Sequence, residues 1–138
     1  MAASKIEQRS HLTKPFEAAI HNFAYSCYQN GLFEKSTAMF RYLAMFRPND
    51  ARYWFGLGAS LLMQEHIREA EQAFHVASLH NVSDPKAFAF RAECLFRLGE
   101  TSKAKALLAE AEQLCQLQPN HPCRKQVELV KERIATAL

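Results

Sequence analysis

The residues of this chain recur in kind every 34 positions, and that period limits the possible folds more than any other feature. Three ungapped blocks, 17–50, 51–84 and 85–118, align on it. Ile20, Trp54 and Phe88 share one offset, and Ala24, Gly58 and Ala92 follow four positions later. Twelve further on stand Ser36, Ala70 and Ala104, then Phe40, Phe74 and Leu108. A unit this short cannot bury its own apolar face, so the units must stack side by side into one continuous core. Pro48, Pro85 and Pro119 punctuate the joins between blocks. Gly31 and Gly99 mark turns inside the first and third, where the middle block has "QEHIRE" and no glycine.

Apolar periodicity inside the blocks predicts helices at about 17–29, 33–46, 51–63, 67–80, 85–97 and 101–116. A seventh, at 122–137, carries Val127, Val130, Ile134 and Leu138 between charges and closes the array as a terminal cap. The segment ahead of Phe16 is expected to hold a short helix or stay loose, with Pro15 dividing it from the repeats. Gly58 lies inside a predicted helix, at a cost of about 1 kcal/mol relative to Ala. A close helix crossing explains it: the partner helix presses a large residue where Ala24, Gly58 and Ala92 leave a hollow. The spacing Trp54, Leu57, Gly58, Ala70, Phe74 resembles the tetratricopeptide repeat, and the three blocks extend that resemblance over 102 of 138 residues. The expected fold is therefore all-α: three tandem tetratricopeptide hairpins in a short solenoid, an extension at 1–16, and a capping helix within 119–138.

Trp54, Leu57, Gly58 and Leu61 form the stripe that faces the partner helix. A second stripe, Phe55, Ala59 and Leu62 with Met63 at its edge, is rotated by about 100° and is not required by that packing. Its equivalents are His21, Tyr25 and Tyr28 in the first block and Ala89, Glu93 and Phe96 in the third. First helices line the concave wall of such solenoids, so these side chains predict an aromatic and aliphatic groove, with Arg52, Lys86 and Glu93 as polar points that fix a peptide's register. The candidate groove residues are His21, Tyr25, Tyr28, Arg52, Phe55, Ala59, Leu62, Met63, Lys86, Glu93 and Phe96.

Composition narrows the remaining functions. Seventeen basic against fourteen acidic residues, evenly mixed, give no nucleic-acid footprint, and the groove offsets are too apolar to read bases. No apolar run reaches the length of a membrane helix and the start lacks a signal-peptide core, so a cytosolic protein with reduced cysteines is expected. No motif joins nucleophile, base and orienter, and Asp50 and Asp84 read as helix caps, so neither an enzyme nor a cofactor is expected. "GLG" at 56–58 lacks the remainder of a phosphate loop. Cys115, His121 and Cys123, spaced C-x5-H-x-C, fit no usual zinc pattern, and no metal is expected.

"FAYSCYQNGLFEKSTAMFRYLAMFRPNDARYWFGLGASLLMQ" and "DPKAFAFRAECLFRLGE" resemble the class II chaperones of bacterial type III secretion. That resemblance implies a cytoplasmic chaperone, and the lack of a phosphate loop predicts that it works without ATP. Its concave face would hold an extended hydrophobic segment of a translocator, or else a needle subunit, and it would form a homodimer through residues ahead of the repeats. Tyr25, Tyr28, Phe55, Leu62, Met63 and Phe96 become contacts by the same resemblance. Arg91 departs from it, standing where an apolar residue is expected. A generic repeat adaptor is the alternative, but the clamp that binds acidic tails needs Lys and Asn where this chain has His21 and Tyr25.

Overall fold

A computed structural model describes residues 12–136. The leading segment expected to be a short helix or loose, the dimer contacts implied there, and Leu138 of the last stripe all lie outside the described residues. Seven helices follow one another within them: α1 Lys14–Gln29, α2 Phe33–Phe46, α3 Ala51–Met63, α4 Ile67–His80, α5 Pro85–Arg97, α6 Thr101–Leu117 and α7 Arg124–Thr136. Each packs on its neighbour in sequence, and α7 folds back over both α5 and α6. Pro15 does not divide an extension from the first helix; it sits in the first turn of α1, where its missing N–H costs nothing and its fixed φ favours helix.

The sequence period reappears in the backbone. Inside the three hairpins the turn closes with the same hydrogen bond, Leu32 N–H to Cys27 O, His66 N–H to Leu61 O and Glu100 N–H to Leu95 O, each a full period after the last. The turns require a left-handed residue, supplied by Gly31 at φ 78° and Gly99 at φ 83°; in the middle hairpin Glu65 holds that conformation at φ 64°. Between hairpins, Asp50 accepts the Arg52 N–H at 3.0 Å and Asp84 the Lys86 N–H at 2.9 Å, capping α3 and α5 as expected.

Packing explains the small residues. A Cβ on Gly58 would lie 2.8 Å from the buried Phe74 ring, so the glycine is the socket for the large residue of its own hairpin. Gly56 is a second socket: a Cβ there would overlap the ring of Phe40, which comes from the preceding hairpin. Burial of one such ring contributes about 2–3 kcal/mol. The core divides in two, one cluster around Phe40, Tyr53 and Phe74 and one around Leu95, Leu108, Val127, Val130 and Ile134. The second cluster shows what α7 does: its apolar stripe seals the open side of the third hairpin. Arg91, the exception to the apolar pattern, forms a 2.6 Å ion pair with the largely buried Glu71 of α4.

Candidate peptide-binding groove

One cavity of about 800 Å³ runs along the first helix of every hairpin and ends at α7. From α1 it takes His21, Tyr25 and Tyr28, which fall on one face because they are spaced four and three apart. Arg52, Phe55, Ala59, Leu62 and Met63 of α3 form the middle, and Lys86 and Glu93 of α5 stand at the far wall. Ten of the eleven candidate residues thus meet in one place. Phe96 does not: it packs against the second core cluster, and Ala89 on the same stripe is fully buried there. Of the α5 stripe only Glu93 reaches the groove, while Ala89 and Phe96 belong to the core cluster that α7 completes.

The groove floor is a ladder of rings. Phe55 lies 5.2 Å from Phe74 and 5.5 Å edge-on to Phe90, and Phe74 stacks on Phe90 at 5.6 Å. His21 meets Phe40 and Tyr53 edge-on, at 6.0 and 5.3 Å. Burial, with the nearby Arg52 charge, holds the His21 pKa below its ordinary value, so this ring sits in the wall as a neutral group. Beneath it the Tyr53 hydroxyl donates to Glu17 at 2.6 Å, and burial and that carboxylate push its pKa up to about 12. At the mouth, Tyr25 and Met63 stay more than half exposed, and Tyr28 is half-buried against Phe33. Exposed rings and thioethers of this kind suit an adaptable apolar partner.

Of the three polar points, two are already engaged. Arg52 donates to both oxygens of Asp50, at 3.0 and 2.8 Å, which lowers the Asp50 carboxyl pKa. Glu93 is not a register point: it is buried, and Arg97 and the α7 residue Arg133 share its Oε1. An unpaired carboxylate at that depth would be costly, so the arginines neutralise it. Lys86 has no carboxylate partner among the described residues; its Nζ lies 4.0 Å above the Phe55 ring.

Seven lining residues escaped the sequence reading: Phe40, Gly56, Glu65, Phe90, Arg97, Gln126 and Arg133. Phe90 was detectable, because it stands one period after Gly56 and restores bulk at an offset where the middle block has none. Gln126 and Arg133 were hidden because the sequence assigns α7 only a capping role, whereas its polar face turns toward the groove.

The tetratricopeptide repeat pattern matches residues 53–79. Low calcium response locus protein H of Yersinia pestis is 26% identical over 95 residues, which are 69% of this chain and 56% of that protein; the chain thus spans little more than half the length of the curated relatives it matches. PcrH, known from Pseudomonas aeruginosa and solved in complex with the chaperone binding region of PopB, superposes with a TM-score of 0.80 at 25% identity, covering 93% of this chain and 98% of its own. The Yersinia enterocolitica type III secretion chaperone SycD, solved with a peptide of the translocator YopD, gives 0.80 at 23% identity over 92% and 98%. By sequence this chain is homologous to Low calcium response locus protein H, and by structure it carries the tetratricopeptide fold of the type III secretion translocator chaperones.

Proposed function

We propose that this chain is a non-enzymatic, ATP-independent chaperone of a type III secretion system. It acts in the bacterial cytoplasm, and its groove holds a hydrophobic segment of a translocator. Residues 17–118 form the client-holding repeats and 119–138 the cap. The observation that carries this reading is the groove itself: aromatic and aliphatic side chains from three successive first helices line one half-open cavity instead of closing over it. The likeness to PcrH, solved with the chaperone binding region of PopB, supports a secreted polypeptide as the occupant. Each 100 Å² of apolar client surface removed from water contributes about 2.5 kcal/mol, which suppresses aggregation without an energy source.

Co-expression with the translocators and needle subunits of the same secretion system tests the reading. One or two translocators become soluble and co-purify; a generic adaptor rescues none. The double variant Tyr28→Ala, Phe55→Ala releases the client while far-ultraviolet circular dichroism stays helical. Full retention by that variant would show that the client sits elsewhere.

A further inference from the structure

We propose that Asp84, His121 and Cys123 form a binding site for a divalent transition metal, with Zn²⁺ the ion their chemistry suits, joining the start of α5 to the start of α7. The three come from two joins that sequence places far apart. Residues 81–84 precede the third hairpin, residues 118–123 precede the terminal helix, and Gln118 Nε2 ties the joins together by donating to Ser83 O at 2.6 Å.

The repeat shows why the join before α7 is unusual. The first two joins recur one period apart, with Asp50 N–H donating to Arg47 O and Asp84 N–H to Asn81 O. The third makes the same turn, His121 N–H to Gln118 O, but arrives later than the period dictates, because α6, at 17 residues, is longer than α2 and α4 at 14 each. His121 therefore stands where the earlier joins have a capping aspartate, and its Nδ1 accepts the Cys123 N–H at 3.1 Å in the aspartate's place. That hydrogen bond turns Nε2 toward Asp84 Oδ1, 3.7 Å away, while Cys123 Sγ lies 3.9 Å from the same oxygen.

One oxygen, one imidazole nitrogen and one sulfur thus gather with all three ligand atoms within 4.8 Å of one another. Tetrahedral zinc at its usual bond lengths sets such donors about 3.3–3.7 Å apart, so a contraction of tenths of an ångström at the two pairs to Asp84, and of about 1 Å at most between the His121 nitrogen and the Cys123 sulfur, completes three of its four positions. Thiolate with imidazole and carboxylate in tetrahedral array selects zinc over the hard cations. Water fills the fourth position. Loading releases the Cys123 thiol proton to solvent, and the ring proton moves from Nε2 to Nδ1. Cys123 N–H then exchanges its bond to Nδ1 for water, one hydrogen bond against three metal bonds. The consequence bears on the groove: α7, which supplies Gln126 and Arg133 to its wall, becomes pinned at its first turn.

Titration of tag-free, reduced full-length protein with Co²⁺, followed by competition with Zn²⁺, tests the site. A near-ultraviolet thiolate-to-cobalt band appears at one equivalent, zinc abolishes it, and zinc raises the melting temperature. Cys123→Ser removes the band; His121→Ala and Asp84→Asn weaken binding by more than roughly tenfold, the loss that even a supporting partner of a ligand typically brings. Asn preserves the cap on α5, so the Asp84 variant stays folded. Cys27→Ser, at a buried cysteine outside the cluster, keeps the band. Absence of the band and of any zinc-dependent melting shift in folded wild-type protein overturns the proposal, as does binding that survives all three ligand substitutions.

Discussion

The second and third hairpins share a period but are held together differently. In the second, ring meets backbone: Gly58 receives Phe74 and Gly56 receives Phe40. In the third, Phe90 and Ala92 fill those offsets, and charge takes over. Arg91 pairs with Glu71, and the buried Glu93 binds Arg97 and Arg133. The turns differ too, with Glu65 left-handed in one and Gly99 in the other. A repeat therefore keeps its geometry while its members find separate physical routes to it. The difference also grades the groove, which is apolar and open along α1 and α3 and ionic where α5 meets α7.

Filling the second hairpin's socket is the severest way to break this contrast. Gly58→Leu forces a side chain against a Phe74 ring that is fully buried and stacked on Phe90, so the ring cannot swing aside. Overpacking of this order costs about 3 kcal/mol, which far exceeds the helix propensity regained. Thermal melts should show a drop of about 10 °C. A smaller loss than that of Glu93→Ala would mean that the ring-on-backbone contact is not what sets this hairpin apart.

Removing the ionic centre of the third hairpin tests the other side. Glu93→Ala strips Arg97 and Arg133 of their shared acceptor and cuts the tie between α5 and α7. Breaking a fully buried pair costs about 3–5 kcal/mol, but Arg133 is 54% exposed, so about 2 kcal/mol is expected here. Denaturant melts measure that loss, and faster amide exchange in α7 than in α3 locates it. Uniform exchange across the molecule would make the pair a general strut instead of the anchor of the cap.

The same contrast decides what could be read from sequence. Helix positions and the Gly58 socket were legible because they follow from local periodicity and from a volume rule acting at a fixed offset. The α1 and α3 parts of the groove were legible for the same reason, since an apolar stripe left over after the core is filled has to face something. The α5 part was legible only at Lys86 and at the place of Glu93. Phe96 reads as a groove residue by spacing alone, yet α7 returns across α5 and buries its neighbours, and no rule of the repeat describes a helix that is itself outside it. The pairing of Glu93 stayed hidden for the same reason, because Arg133 is remote in sequence and lies on that helix.

The mildest test exchanges the turn chemistry. Glu65 stands at φ 64°, where a residue with a Cβ is strained by about 1–2 kcal/mol, and Gly31 and Gly99 show the relaxed solution at the equivalent places. Glu65→Gly relieves that strain. Against it stand the greater freedom of glycine in the unfolded chain, about 0.5–1 kcal/mol, and a long 3.8 Å ion pair to Arg97 that solvent screens almost completely. The balance is a gain of about 0.5 kcal/mol, a rise of about 2 °C in melting temperature. Glu65→Ala separates the two contributions, because it removes the same carboxylate while keeping the strained Cβ, and should melt at or below wild type. If both variants fall together, the carboxylate at the groove rim outweighs the backbone, and the second hairpin depends on charge as the third does.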